Sequence, residues 1–323
     1  MIVVAGPGSV GGFVGAMLAA NGERVAFVGR GEDPPFPDGL SAVAMGRPPV
    51  RVEVFEDPEH LVEADLVIVA VKSKDTAAAA RRIAETAPAD ARVVNLQNGV
   101  TNGDVLRAHL GDRVCEGMFG FNLVRTRAGE IVQMTDGEIV LDQRAADTAQ
   151  QLRGAGLQVR THSNMKGILW AKLLMNLNNP LNALSGKALK QELSDRRWRR
   201  VFATCMREGI AVSHAEGIVL ERVAKLPSRL IPPILSLPNS LFLRIASSLV
   251  NIDPEARSSM ADDYTLGRPS EVNWLNGHVV KRAKALGLIA PMNEKVTAAV
   301  MDAFAMSPRP PLSFDPEHFL SGG

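Results

Sequence analysis

Six residues near the amino end, Gly6-Pro7-Gly8-Ser9-Val10-Gly11, constrain this chain more than any others. They form a G-x-G-x-x-G, a weak pattern alone and common in plain strand–helix turns. Here it follows an apolar run, Ile2–Ala5, and opens an Ala/Leu-rich segment, Phe13–Asn21, that reads as a helix. That context is the one a dinucleotide-binding turn needs. Gly6 suits a tight turn, Gly8 a close backbone approach to a ligand, and Gly11 the packing of helix on strand. The amides of Ser9, Val10 and Gly11 at the helix start then face a pyrophosphate.

The rest of the first half repeats the alternation. Arg24–Val28, Val50–Phe55, Leu66–Val71 and Val93–Leu96 read as strands, and Thr76–Thr86 and Asn102–Leu110 as helices. Leu66–Val71 and Val93–Leu96 are nearly unbroken apolar runs, as strands covered on both faces are. The expectation is a Rossmann-type doubly wound α/β domain with a parallel sheet. After residue 114 the pattern changes. Short strands are expected at 129–132 and 137–141, a helix over 145–156 and a strand at 157–160. From Asn164 onward the sequence is helical almost throughout, so the division is placed at 1–163 and 164–323, with no internal repeat.

At 323 residues and 46% hydrophobic, the chain is long enough for two domains with their own cores. Its net charge of +1 gives no footprint for nucleic acid. The basic run Asp195–Arg200 reads as a solvated helix face flanking a core Trp198. Cys115 and Cys205 lack metal-ligand spacing and read as reduced thiols of a cytoplasmic protein. The first residues already form a strand, so no signal peptide is expected. The apolar stretch 230–250 carries Pro232, Pro233, Pro238 and Arg244. It reads as a buried or subunit-contact segment, compatible with a homodimer, and not as a membrane span.

The end of the second strand distinguishes NAD from NADP. An NAD site usually places an acid there. Here Phe27-Val28-Gly29 leads into Arg30, whose guanidinium suits a 2′-phosphate, although Glu32 and Asp33 follow. Lys72, at the end of another strand, is either a second positive charge for that phosphate or an ordinary exposed lysine. NADPH is the expected cofactor.

A second cluster lies just past the division. Gly167–Pro180 reads as a mostly apolar helix with Lys172, Asn176 and Asn179 spaced i, i+4, i+7 on one face. Such groups on a buried helix are costly without partners. A substrate would supply them; equally, the lysine could snorkel to solvent and the asparagines cap the helix near Pro180. The helix alone does not decide.

The motifs taken together resemble the ketopantoate reductase (2-dehydropantoate 2-reductase) family over nearly the whole length. They are Gly6–Gly11, Val71-Lys72, Asn98-Gly99, Leu169-Trp170 with Lys172, Asn176, Ser258-Ser259-Met260, Glu271 with Asn276-Gly277, and Gly287–Pro291. The resemblance implies a Rossmann-type domain, a helical domain, an active site in the cleft and reduction of a small 2-keto acid by NADPH. By position Lys172 corresponds to the catalytic lysine. Glu271 corresponds to the acid that binds the substrate hydroxyl and helps set that lysine. Asn98 corresponds to the asparagine that lies near the nicotinamide and helps position lysine and substrate. Ser259 corresponds to the serine on the substrate carboxylate, and Asn176, with Asn179, to substrate-binding asparagines.

The chain departs from the family pattern at three places. Asn176 to Asn179 is one residue shorter than usual, an expected asparagine is Ala256 with Arg257 beside it, and 230–250 looks inserted. These leave open a different 2-keto acid. A non-catalytic NADP-binding sensor is the alternative class, since fold alone does not give function. Lys172, Asn98 and Glu271 argue against it.

Overall fold

A computed structural model describes residues 1–29, 39–52, 55–56, 58–126, 129–222, 226–245 and 255–321. They form two compact units, Met1–Met165 and Lys166–Gly323.

In the first unit the strands are β1 (Ile2–Ala5), β2 (Val25–Val28), β3 (Leu40–Val43), β4 (Val50–Val52), β5 (Phe55–Glu56), β6 (Leu66–Val69), β7 (Arg92–Asn95), β8 (Val114–Phe119), β9 (Leu123–Arg125), β10 (Ile131–Gln133), β11 (Ile139–Asp142) and β12 (Val159–His162). The helices are α1 (Ser9–Ala20), α2 (Thr76–Thr86), α3 (Asn102–Leu110) and α4 (Ala146–Gly154). The large sheet has the order β12-β11-β8-β7-β6-β1-β2-β5. Neighbours from β5 to β8 are parallel, whereas β11 is antiparallel to β8 and parallel to β12. The smaller sheet is β4-β3-β10-β9.

Two-residue periodicity explains the unbroken apolar strands. Val4, Ile68 and Val94 share a core with Phe13 and Leu18 of α1 on one face of the sheet. Val3, Val67 and Val93 share another with Ile83 and Leu106 of α2 and α3. The doubly wound parallel sheet is therefore as expected, with an antiparallel strand added.

Details differ from the sequence reading. Helix α1 starts at Ser9, because extended Gly8 ends the loop there and the helix glycines fit against the sheet; a Cβ on Gly15 would overlap the Phe27 ring. β6 stops at Val69, and Val71 lies against Gly6 instead. β8 escaped the pattern because Glu116 and Gly117 interrupt its apolar run. Glu116 is nevertheless buried, with Asn95 Nδ2 donating to its Oε2 (2.9 Å) and Arg107 Nη1 3.0 Å from Oε1.

The chain beyond is helical: α5 (Met165–Asn176), α6 (Asn178–Ser185), α7 (Leu189–Ser194), α8 (Arg196–Ala215), α9 (Ile231–Leu235), α10 (Asn239–Ile245), α11 (Ser259–Thr265), α12 (Asn276–Ala285), α13 (Pro291–Ala305) and α14 (Glu317–Leu320). Gly209 of α8 lets Leu174 of α5 come close; a Cβ there would be 2.5 Å from Leu174 Cδ2. The single helix expected over 167–180 is broken at Leu177. Pro180 has no N–H to give the Asn176 carbonyl. Lys172 and Asn176 thus share a face of α5, while Asn179 belongs to α6.

The reading of 195–200 as a solvated face is corrected at Arg199, which is fully buried. Its guanidinium donates to the carbonyls of Leu193 (2.8 Å), Leu235 (3.0 Å) and Leu237 (2.9 Å) and to Asn239 Oδ1 (2.9 Å), and sits 4.0 Å from the Phe242 ring centre. It thereby pins α9 and α10 to α8. In that stretch Ile231, Leu235 and Phe242 are buried and Leu241, Leu243 and Ile245 exposed; residues 246–250 lie outside the described part. Among the described residues no helix is long and apolar enough to cross a membrane. Both cysteines are buried and free.

The closing segment is not a loose end. Phe314 N donates to Leu184 O (3.0 Å), Tyr264 Oη donates to Pro310 O (2.7 Å), and Phe319 is buried near Trp198. Gly186 sits at φ +64°, and a Cβ on it would overlap the Leu312 carbonyl.

Replacing Arg199 by Met keeps the stem and strands the buried carbonyls. We expect a loss of roughly 2–4 kcal/mol in urea unfolding. Arg199→Lys should recover little, since one ammonium cannot reproduce the fork. A loss under about 0.5 kcal/mol, the size of an ordinary surface change, would contradict this.

Candidate active site

Strand order reverses at β1, flanked by β2 and β6, and crevices for ligands form at such points beyond the carboxyl ends of the strands. Gly6 lies there with φ +100°, and a Cβ on it would be 2.6 Å from Val71 N. Gly11 abuts the same turn, its Cβ position overlapping the Gly6 carbonyl. Among the described residues, its chain neighbours aside, nothing lies within 4 Å of the Cβ position of Gly8, so space is open above it. Helix α1 has no side-chain cap and no acidic residue in its first turn. Its first amides, Ser9, Val10 and Gly11, have no partner inside the helix and favour an anion. An open face at Gly8 beside uncapped amides fits a dinucleotide pyrophosphate.

Lys72 is exposed directly after Val71, and Asn98 is exposed beyond β7, so both stand at the same carboxyl edge as the glycine loop. Arg30, with Glu32 and Asp33, lies outside the described residues.

A buried polar network beneath these two loops was missed from sequence. Gln97 Nε2 donates to Val71 O (2.9 Å) and Thr76 Oγ1 (2.8 Å). Asn102 Nδ2 donates to Asn98 O (2.7 Å) and Ser73 Oγ (3.1 Å), and Gln97 N donates to Asn95 Oδ1 (3.1 Å). Asn95 in turn holds Glu116, whose carboxyl is raised above its ordinary range by burial, against the opposing pull of Asn95 and Arg107. The loops after β6 and β7 are thereby locked together. The signal available was polar residues directly after apolar strands.

In the helical unit Lys172 lies half-buried on α5 between buried Ala171 and Leu173, and desolvation pushes its ammonium down to about 8. Asn176 is half-buried one turn on, and Asn179 half-buried in the first turn of α6. Ser259 is exposed at the start of α11. Its neighbour Ser258 is buried and makes the structural bonds: Oγ donates to Asn179 O (3.0 Å), and the backbone N donates to Asn182 Oδ1 (2.8 Å). Ser259 and Asn179 are thus brought to one junction. Glu271 is half-buried ahead of α12. That helix meets α5 where the Trp170 and His278 rings lie 5.7 Å apart, and Asn276 Nδ2 ties it to Asn293 Oδ1 (3.0 Å) of α13. Among the described residues no group of His, Cys, Asp and Glu could hold a metal ion.

A glycine loop at the switch point of a doubly wound sheet, followed by a helical unit with a half-buried lysine, is the arrangement a dinucleotide-dependent oxidoreductase would need. Comparison with known proteins narrows the class. Residues 2–146 match the family model described as ketopantoate reductase PanE/ApbA, and residues 164–303 match ketopantoate reductase PanE/ApbA C terminal. The 2-dehydropantoate 2-reductase of Halobacterium salinarum is 29% identical over 311 residues, covering 90% of this chain and 94% of that one. A PanE/ApbA family ketopantoate reductase from Ralstonia eutropha JMP134 superposes with TM-score 0.79 at 31% identity, over 93% of this chain and 97% of that one. A D-mandelate dehydrogenase solved with NADH and anilino(oxo)acetate shares the fold, with TM-score 0.77 at 18% identity over 95% and 100% of the two chains. The chain belongs to the ketopantoate reductase family. It is an oxidoreductase acting on a CH–OH group.

The two loop glycines should separate binding from stability. Gly8→Ala, in open space, should change unfolding free energy by less than about 0.5 kcal/mol yet weaken any dinucleotide that binds in a fluorescence titration with reduced nicotinamide dinucleotides. Gly11→Ala must move Gly6 and should cost roughly 1–3 kcal/mol. Equal effects of both changes on stability would contradict the geometry.

Proposed function

We propose that this protein reduces the ketone of a 2-keto acid with NADPH, 2-dehydropantoate being the first candidate, and that Lys172 is the general acid. The observation that carries the reading is the half-buried Lys172 ammonium, pushed down to about 8 by desolvation, with Asn176 one turn away on the same face. A group with that proton affinity is still mostly protonated at neutral pH and gives its proton up readily.

A bound reduced nicotinamide would supply the hydride to C2. The carbonyl oxygen then gains charge and needs a proton or a fixed positive group. Lys172 hydrogen-bonds that oxygen and hands it the proton. Asn98 and Asn176 donate hydrogen bonds and cannot protonate. Glu271 accepts from the substrate hydroxyl and helps orient Lys172. Ser259 and Asn179 hold the polar end of the substrate. Arg30 and Lys72 take the 2′-phosphate, while Gly6, Gly8, Ser9, Val10 and Gly11 take the pyrophosphate.

A second substrate is favoured by one observation. Ala256 has no side-chain donor, its carbonyl accepts from Leu189 N (2.9 Å), and Arg257 beside it is exposed. A guanidinium at this point suits a carboxylate differently from an amide. Following loss of reduced-cofactor absorbance with a panel of 2-keto acids that includes 2-dehydropantoate separates the two readings. Consumption of NADPH with none of them would leave the sensor reading standing.

Lys172→Ala should lower turnover by roughly a hundred- to ten-thousand-fold with NADPH affinity nearly unchanged. In the unaltered protein the acid is the ammonium form, so reduction should be fastest below pH 8 and fall as pH rises through about 8. Near-normal turnover of Lys172→Ala would remove the lysine from the mechanism.

Cofactor choice has its own test. Arg30→Ala should weaken NADPH much more than NADH, because a guanidinium reads a 2′-phosphate by charge and geometry. Equal weakening of both would show that Arg30 does not contact that group.

A further inference from the structure

The helical unit buries a carboxyl group that the proposed chemistry does not use. Glu192 on α7 is fully buried. Its Oε2 accepts from Asn182 Nδ2 (2.8 Å) and, more weakly, from Asn178 Nδ2 (3.4 Å). Two neighbouring acceptors, Glu192 Oε1 and Asn178 Oδ1, have no partner among the described residues. A proton on the carboxyl supplies the donor that this pocket lacks. Burial pushes Glu192 up to about 8, against the opposing pull of the Asn182 and Asn178 amides and of Lys187, so near neutral pH the proton is mostly present.

The bonds continue outward. An asparagine amide turns freely unless both ends are engaged. Asn182 commits its Nδ2 to Glu192 and to Lys187 O (3.0 Å), which leaves Oδ1 facing the Ser258 amide at 2.8 Å. Ser258 Oγ then donates to Asn179 O (3.0 Å), and Leu189 N, from the start of α7, donates to Ala256 O (2.9 Å). The segment leading into α11 is therefore tied to α6 by Asn182 and to α7 by Leu189. Asn182 points the right way because Glu192, together with the Lys187 carbonyl, fills its other end.

We infer that Glu192 is a positioning residue: through the Asn182 amide it fixes Ser258, and with it the spacing between Asn179 and Ser259. This rests on the assignment of those two residues to substrate. It predicts that Glu192 acts on substrate affinity while leaving the cofactor and the proton donor alone. It also predicts that Glu192→Gln is well tolerated, because the new side-chain amide would accept from Asn182 and donate to Asn178 Oδ1.

The test compares Glu192→Leu and Glu192→Gln by steady-state kinetics, NADPH titration and amide hydrogen exchange at Ser258. Glu192→Leu should raise KM for the keto acid by roughly tenfold or more, with kcat changed by less than about threefold. NADPH affinity should hold, and exchange at Ser258 should accelerate. Glu192→Gln should stay within about twofold of the unaltered protein on each measure. Should Glu192→Leu fail to fold, Asn182→Ala cuts the same link from the other side and must raise KM alone. An unchanged KM, or KM, kcat and NADPH affinity all failing together with thermal stability, overturns the inference. If the unaltered protein reduces no 2-keto acid, the functional reading fails on its own. Ser258 exchange still decides the link, and its insensitivity to Glu192→Leu overturns it.

Discussion

At Gly6 the chain leaving β1 passes so close to Val71 that a single methyl group on it would overlap the neighbouring backbone. That approach joins the exits of two adjacent parallel strands at the place where the sheet reverses its order. Gly11 then lets α1 lean onto the same turn, which aims the helix start outward. The room for an anion proposed in the first unit follows from steric permission at these positions before any side chain is considered. The side chains enter afterwards, as Gln97 and Asn102 bind the two loops beyond β6 and β7 into one rigid edge.

The helical unit meets its constraints by another route. Most of its helices are short, so many polar termini need partners inside the unit. Buried and half-buried side chains provide them. Arg199 serves the carbonyls around α9 and α10, the Glu208 carboxylate accepts from Met292 N and Asn293 N at the start of α13 (both 2.9 Å), and Ser258 opens α11. Each is a polar group drawn wholly or partly out of water, which is tolerable only because its hydrogen bonds are made. This explains how a unit with so many interruptions holds Lys172, Asn176 and Asn179 in defined places.

Periodicity exposed the strands of the large sheet in sequence, because residues buried on both faces leave a continuous apolar run. It failed at β8, where Glu116 is buried through bonds to Asn95 and Arg107, which belong to other elements of the unit. The same failure hid Arg199, since a basic run looks identical whether its members meet water or carbonyl oxygens. Lys172, Asn176, Asn179, Ser259 and Glu271 were singled out from spacing and resemblance. Asn182, Glu192 and Gln97 were not, for their importance lies in which neighbour each amide or carboxyl faces. A residue pattern records polarity at each position, and the direction of a hydrogen bond emerges only with the fold.

The closing segment carries a consequence for how the protein is made. Phe314 and Leu312 lie against α6, and Pro310 receives the Tyr264 hydroxyl of α11. A ribosome delivers those residues after every helix they brace. The sheet unit can therefore mature while translation continues, whereas the α6–α11 junction reaches its final packing only once this strap emerges. Until then the Leu184 carbonyl and the Tyr264 hydroxyl lack the partners that this strap brings.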